Sequence, residues 1–251
     1  LRKKKRFFIM KQNKYDNPEF FTKYSQMTRS VKGLAGAGEW ETLEKMLPDF
    51  QGKRVLDLGC GFGWHCQYAI DHGASAVTGV DISEKMLEVA REKTSPQIRY
   101  IRTPVEEAEF PANSFEVVVS SLTFHYLVSF EDIARKVYNW LTAGGDFVFS
   151  VEHPIFTAHG SQDFYRDAGG NPLFFPVDHY FSEGQRDTTF LGEKVTKYHK
   201  TLTTYLSALL QNGFTITGVV EPQPPAHMLA ASEGMKDELR RPMMLIISAR
   251  K

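Results

Sequence analysis

Three glycines and two aspartates lie where two apolar runs of the sequence end. Gly59, Gly61 and Gly63 follow the first run, in VLDLGCGFGW. Asp57 stands just before these glycines, and Asp81 closes the next run, AVTGVD. Glycine has no Cβ, so the backbone can turn sharply there and come close to a ligand. A carboxylate at such a strand end can accept hydrogen bonds from both hydroxyls of a ribose. The spacing is GxGxG, not the GxGxxG of dinucleotide sites, and the pattern predicts a site for a nucleoside-containing ligand.

The elements that must position these residues alternate regularly along the chain. Two helices are predicted first, over YDNPEFFTKYSQM and GAGEWETLEKMLPDF. Strands then follow at RVLDLG, AVTGVD, IRYIR, FEVVVSS and DFVFSVE, separated by helical patterns, one of which, FEDIARKVYNWLTAGG, ends in a glycine pair. TITGVVE and MMLIISAR add two more strands. This alternation is typical of βαβ units. We therefore expect an α/β fold with a doubly wound, mostly parallel seven-stranded sheet.

The sequence predicts one domain, which covers residues 14–251. Residues 1–13 are predicted to form a flexible basic tail. In a second interpretation of the tail, the start of the chain is mis-assigned. Residues 1–9 would then be absent from the natural protein, and Met10 lies just downstream.

An aromatic-rich segment at about residues 153–195 interrupts the alternation after the fifth strand. It is too long for a routine connection. We expect a lid here, with short antiparallel strands around Val177–Phe181 and Thr188–Leu191. Its aromatic side chains would line a substrate pocket, or pack as a plain cover or a dimer contact.

Composition argues against several classes of protein. Thirty basic and thirty acidic residues give a net charge of zero, which does not favour a nucleic-acid partner. The two cysteines, Cys60 and Cys66, rule out a disulfide framework and lack metal-ligand spacing. No apolar run approaches the roughly 20 residues that span a bilayer. We expect a cytoplasmic protein without a metal or a membrane partner.

Taken in order, the motifs resemble the class I S-adenosylmethionine-dependent methyltransferases. The resemblance rests on VLDLGCGFG, VTGVDISEKMLEVAREK, FPANSFEVVVSSLTFHYL and LTAGGDFVFSVEHP, and it covers about residues 30–155. It is strongest to the type that acts on small molecules. It implies S-adenosyl-L-methionine as the cofactor and in-line transfer of its methyl group to a small-molecule acceptor. It also implies an antiparallel last strand beside the sixth.

The resemblance further implies which residues hold the methionine and ribose parts of the cofactor. Gly59, Cys60 and Gly61 would pass under the methionine part. Asp81 would hold the ribose, and Asp57 would contact the ligand through its backbone or a water molecule. The structural alternatives are a turn-forming Asp57 and a helix N-terminal Asp81.

On the adenine side the resemblance implies that Ile82 and Met86 flank the base. The family often has an acid after the third strand that meets the adenine amine. Pro104 stands at that position, so the contact would pass to the backbone of Val105 and the side chain of Glu106.

At the end of the fourth strand, Ser120 and Ser121 would face the methyl donor, or they would form an ordinary solvated strand end.

From the N-terminal region, Tyr24, together with Tyr15 and Arg29, would close over the cofactor. Packing between helices is the alternative role for these aromatic residues.

Two histidines follow strands four and five and are candidate catalytic residues. His125 lies in SSLTFHYL and His153 in SVEHP. Imidazole titrates near neutral pH, so either residue could take a proton from an acceptor that must lose one. Their alternative roles are helix packing for His125 and a turn before Pro154 for His153.

Three other functions compete with a small-molecule methyltransferase. A nicotinamide-dependent oxidoreductase fits the glycines loosely but lacks the third-glycine spacing and a Tyr-x-x-x-Lys pair. A non-catalytic protein could keep the same cofactor pocket. An RNA or protein methyltransferase remains open for O-methylation, because only the NPPY-like motif of base N-methylation is absent. The sequence leaves monomer and homodimer open.

Overall fold

The computed structural model describes residues 13–231 and 233–251. The predicted basic tail therefore lies, except for Asn13, outside the described residues. The strands of the described part are β1 (Arg54–Leu58), β2 (Ala76–Asp81), β3 (Arg99–Arg102), β4 (Phe115–Ser121), β5 (Leu141–Glu152), β6 (Tyr165–Arg166), β7 (Pro172–Phe174), β8 (Gly184–Phe190), β9 (Glu193–His199), β10 (Thr215–Val220) and β11 (Met244–Arg250). The α-helices are α1 (Pro18–Ser25), α2 (Thr28–Val31), α3 (Trp40–Met46), α4 (Trp64–Asp71), α5 (Glu84–Lys93), α6 (Phe130–Trp140), α7 (Pro154–Ala158), α8 (Leu202–Gln211) and α9 (Ala226–Ala231).

The central sheet has seven strands in the order β10-β11-β5-β4-β1-β2-β3. Strands β1 to β5 pair in parallel, and β11 runs antiparallel between β5 and β10. The predicted doubly wound sheet and its antiparallel last strand are therefore confirmed. The chain runs outward from β1 to β3 and then returns to β4 on the other side of β1. This reversal is the switch point at which open α/β sheets bind ligands.

Side chains that alternate along the strands build a core on each face of the sheet. On one face, Leu56 and Val118 pack with Phe149 and with apolar residues of α6 and α8. On the other face, Val55 and Val117 pack with apolar residues of α4 and α5. Each large side chain buried in this way contributes about 1.5–3 kcal/mol. The two cores hold the strand ends rigidly, which positions the residues that follow β1, β2 and β4.

The predicted end of the sixth helix is wrong. Helix α6 ends at Trp140 and not at the glycine pair, and β5 begins directly at Leu141. The carbonyls of Asn139 and Trp140 accept hydrogen bonds from the backbone amides of Asn113 and Ser114, which draws the chain out of the helix. The two glycines instead lie in a bulge of β5, between its first pairing with β4 and the regular ladder.

The segment after β5 contains two small antiparallel sheets, β6 with β7 and β8 with β9. The strand predicted around Val177–Phe181 is wrong, because those residues have no regular structure. The strand predicted at Thr188–Leu191 coincides with the end of β8 and its turn. Leu191 and Gly192 both have positive φ angles, of 54° and 81°. A tight hairpin turn with two such residues matches the twist of its strands.

Candidate functional site

The glycine loop after β1 has the left-handed backbone that its residue types predict. Gly59 has a φ of 78° and Gly61 a φ of 53°. A Cβ built on Gly59 would lie 2.0 Å from Oγ1 of Thr123, so the chain behind the loop leaves no room for a side chain. No atom lies within 4 Å of a Cβ built on Gly61. The loop is thus packed against the protein at Gly59 and free for a ligand at Gly61.

Asp81 ties the end of β2 to the glycine loop. Its Oδ2 accepts a hydrogen bond of 2.9 Å from the backbone amide of Gly61, and its Oδ1 accepts one of 2.9 Å from that of Ser83. The carboxylate is 9% exposed, and burial raises its pKa. The residue predicted to hold a ribose therefore lies beside the loop predicted to hold the remainder of the ligand.

Asp57 is buried behind the same loop. Its Oδ2 accepts a hydrogen bond of 3.4 Å from the thiol of Cys66, and its Oδ1 is buried with no partner among the described residues. Burial raises the pKa of this carboxyl to about 7. An acceptor atom without a partner in this position is suited to a donor group on a ligand.

A cavity of about 80 Å³ opens beside the loop. Six of the residues predicted for the site line it: Tyr24, Arg29, Gly59, Cys60, Gly61 and Ser121. The remaining lining residues come from the N-terminal region, the glycine loop and the start of α4: Ser30, Gly33, Leu34, Ala37, Glu39, Phe62, Trp64 and His65.

Eight of these lining residues were not predicted from the sequence, and two of the eight, Glu39 and Trp64, have buried polar atoms that could meet a ligand. Glu39 is 2% exposed, and its Oε1 accepts hydrogen bonds from Nη2 of Arg29 (2.5 Å) and from Oγ of Ser121 (3.4 Å). The other carboxylate oxygen, Oε2, and Nε1 of Trp64 are buried without partners in the described part of the chain. The segment GEWETLEK resembles any solvated helix start, and only the tertiary packing turns Glu39 inward.

Residues 13–39, which we call the N-terminal strap, also cover the side predicted to hold the adenine. Oδ1 of Asp16 accepts hydrogen bonds from Oγ of Ser83 (2.6 Å) and from the backbone amide of Lys85 (3.1 Å). Nη2 of Arg102 lies 3.4 Å from Oδ2 of Asp16. The side chain of Asn13 donates to the carbonyl of Ile82 at 3.4 Å. The strap thus closes over the first turn of α5.

The other predicted cofactor contacts lie apart from the cavity. Ser120 is fully buried, and its hydroxyl donates to the carbonyl of Leu58 at 2.7 Å, a contact that stabilises the sheet. Met86 is 2% exposed at the base of α5. Val105 is in the main core, and Glu106 follows it in the short 3-10 helix Val105–Glu107.

Neither candidate catalytic histidine lines the cavity. His125 is 1% exposed, and its Nδ1 accepts a hydrogen bond of 3.3 Å from the backbone amide of Glu152. Burial lowers its pKa to about 3, which makes it a weak base. His153 caps α7, with Nδ1 accepting from the backbone amide of Ile155 and Nε2 2.8 Å from Oε1 of Glu221. Both residues have the structural contacts that their alternative roles require.

The described residues contain no cluster of three potential metal ligands, and no described helix is long and apolar enough to cross a bilayer.

The chain is similar to a family of methyltransferase domains and to two solved methyltransferase structures. Residues 56–149 match the model of the methyltransferase domain family. A crystal structure from Listeria monocytogenes, assigned to the S-adenosylmethionine-dependent methyltransferases, is 55% identical, with a TM-score of 0.83 over 87% of this chain and 99% of its own. A second such methyltransferase, from Mesorhizobium loti, is 44% identical, with a TM-score of 0.80 over 87% of this chain and all of its own.

A curated relative with a named activity matches over a shorter stretch. The malonyl-[acyl-carrier protein] O-methyltransferase of Halalkalibacterium halodurans is 31% identical over 108 residues, which is 41% of this chain and 40% of that protein. From the two structures similar over nearly their whole length, we conclude that the chain belongs to the S-adenosylmethionine-dependent methyltransferase family and is an enzyme with S-adenosylmethionine as its cofactor.

Proposed function

We propose that the enzyme transfers the methyl group to a small-molecule acceptor that binds beneath the strap and the segment after β5. The observation that carries this proposal is that the strap lines the cavity beside the glycine loop. Tyr24, Arg29 and Glu39 of the strap share its lining with Gly59 and Gly61, so the space left beside the loop suits a small acceptor better than a folded macromolecule. We also propose that residues 14–251 act as one domain, with residues 153–195 as its lid.

The residues around the cavity fit the charged end of the cofactor. The methionine part carries an ammonium and a carboxylate. The partnerless oxygens of Glu39 and Asp57 are suited to accept hydrogen bonds from the ammonium. Arg29 and Nε1 of Trp64 are suited to donate to the carboxylate. Buried polar atoms without partners are costly, and a ligand that supplies partners would remove that cost.

The remaining predicted contacts lie after the ends of β2 and β3 and would hold the ribose and the adenine of the cofactor. Asp81 would hold the ribose, and Ile82, Met86, Val105 and Glu106 would surround the adenine. When bound, S-adenosylmethionine would supply an electrophilic methyl group, which an acceptor would attack in line with the methyl–sulfur bond so that S-adenosylhomocysteine leaves. The chain's own residues would orient that group beside Gly61 and Ser121 and exclude water from it.

Calorimetric titration with S-adenosylmethionine, S-adenosylhomocysteine and NADH tests the cofactor site. Binding of the first two ligands only is expected. Methyl transfer from tritiated S-adenosylmethionine into a cell extract, separated by ultrafiltration, then tests the acceptor class. The label should pass the filter in a product that chromatography separates from S-adenosylmethionine and that forms only when the enzyme is added. Label retained with protein or nucleic acid would contradict a small-molecule acceptor.

A further inference from the structure

A buried polar triad lies at the end of β5, outside the cofactor cavity. Nζ of Lys197 donates to Oε1 of Glu152 at 2.6 Å and to the side-chain oxygen of Gln162 at 2.8 Å. The side-chain nitrogen of Gln162 donates to the second oxygen of Glu152 at 2.7 Å. The side chains of Lys197 and Glu152 are only 4% and 14% exposed. The segment after β5 supplies two of the three residues, and the sheet supplies the third.

The triad is poorly explained as a stabilising feature of the fold. The desolvation of a buried ion pair can cancel its attraction, so such pairs contribute little to stability. Gln162 also has a left-handed backbone, with a φ of 54°, which is unfavourable for a residue with a side chain. Strained residues and buried charges concentrate at functional sites.

The triad lies at the end of the strand next to the one whose Ser121 lines the cofactor cavity. Ser121 lines the cavity, and its hydroxyl accepts a hydrogen bond of 3.2 Å from that of Ser150, on the neighbouring strand. Glu152 follows on the same strand, at the carboxyl end where α/β sheets bind their ligands.

An aromatic wall connects the two sites. The ammonium of Lys197 lies 6.0 Å from the ring centre of Tyr126 and 5.7 Å from that of Phe190. The hydroxyl of Tyr126 lies 3.4 Å from that of Tyr15, whose ring contacts that of Tyr24 at the cavity. The wall consists of aromatic rings that meet edge to face, and the triad is its charged end.

We propose that Lys197, oriented by Glu152 and Gln162, recognises an anionic oxygen of the acceptor, whose flat apolar body lies against Tyr126 and Phe190. This inference rests on the proposed function. The carboxylate of Glu152 compensates the charge of the buried ammonium. Hydrogen bonds to Glu152 and Gln162 use two of the three ammonium hydrogens. The third can donate to a ligand, and an oxygen with negative charge makes the stronger bond. A cationic acceptor would meet the ammonium with repulsion.

The test titrates probes into protein saturated with S-adenosylhomocysteine. Benzoate and 4-nitrophenolate, in mildly alkaline buffer, represent the two sources of an anionic oxygen, a carboxylate and a phenolate. Benzyl alcohol and benzylamine are the neutral and cationic probes. We expect at least one anion to bind more tightly than both of these. The stronger anion identifies the source.

Two variants and a matched control locate the binding. Lys197→Met should weaken anion binding by about tenfold or more, as expected for the loss of a charge-assisted hydrogen bond. Lys194→Met, an exposed lysine on the same strand, should leave it unchanged. If Lys197→Met fails to fold because Glu152 is left unpaired, the double variant E152Q/K197M removes both charges and should also lose the anion.

Cofactor binding separates this inference from the proposed function. All folded variants should bind S-adenosylhomocysteine as the wild type does, because the triad lies outside the cofactor cavity. Wild-type protein that fails to bind S-adenosylhomocysteine would refute the proposed cofactor site instead. The inference on Lys197 is overturned if neither anion binds, if benzylamine or benzyl alcohol binds better, or if a folded variant without Lys197 keeps the anion.

Discussion

The glycine loop and the N-terminal strap enclose the same cavity, yet they are built in different ways. The loop joins two neighbouring strand ends, and its main side-chain contact links Gly61 to Asp81 across one βαβ unit. The strap is held by side chains that pair with residues far away in the sequence, such as Asp16 with Ser83 and Glu39 with Ser121. We infer that the sheet edge is rigid and set by local sequence, whereas the strap is a cover with separate, weaker contacts.

The largest effect is expected at the loop. Gly59→Ala would place a Cβ 2.0 Å from Thr123 in a backbone that already disfavours alanine, so the loop must shift. We expect S-adenosylhomocysteine binding to be abolished in calorimetry. Gly52→Ala is the matched control, because Gly52 has a φ of 72° and no atom within 4 Å of the added Cβ. It should cost only about 1–2 kcal/mol of stability and keep binding. Equal binding in both variants would mean that the loop is not rigid.

A smaller but still large effect is expected at Asp81. Asp81→Ala removes a carboxylate that accepts charge-assisted hydrogen bonds, worth roughly 1.5–3 kcal/mol. Affinity for S-adenosylhomocysteine should fall by about tenfold or more. The exposed Asp71→Ala is the control and should leave affinity unchanged. Unchanged affinity in a folded Asp81→Ala variant would show that the ribose does not bind at Asp81.

The same contrast explains which parts of the site could be read from the sequence. The periodicity of the strands and the glycine spacing follow from local backbone preferences, so the sheet, its switch point and the position of Gly61 were predictable. The inward side chain of Glu39 and the pairing of Glu152 with Lys197 depend on long-range packing, which no local pattern records. The contact of the Ser120 hydroxyl with a carbonyl of the neighbouring strand depends on the same kind of packing.

The pH dependence of stability tests whether the loop is built around a buried acid. Burial raises the pKa of Asp57 from 3.8 to about 7. The folded protein then binds more protons than the unfolded chain between these two values, so this residue lowers stability as the pH rises through that window. The slope is at most on the order of 1 kcal/mol per pH unit. Denaturant midpoints should fall from pH 5 to pH 7 less steeply in Asp57→Asn than in the wild type. Parallel profiles would show that Asp57 is ionised throughout.

The smallest effect is expected at the strap. Tyr24, Arg29 and Glu39 of the strap line the cavity of about 80 Å³, so contacts that hold the strap in place should slow the release of a ligand bound there. Asp16→Asn keeps the shape but removes the charge that accepts from Ser83 and Lys85, a change worth about 1 kcal/mol. The dissociation rate of S-adenosylhomocysteine, followed by the fluorescence of Trp64 at the cavity, should rise about fivefold, since a loosened cover releases its ligand sooner. Asp132→Asn, an exposed aspartate on α6, is the control. If Asp16→Asn leaves dissociation unchanged, the strap is as rigid as the loop, and the cofactor must enter from the side of the segment after β5.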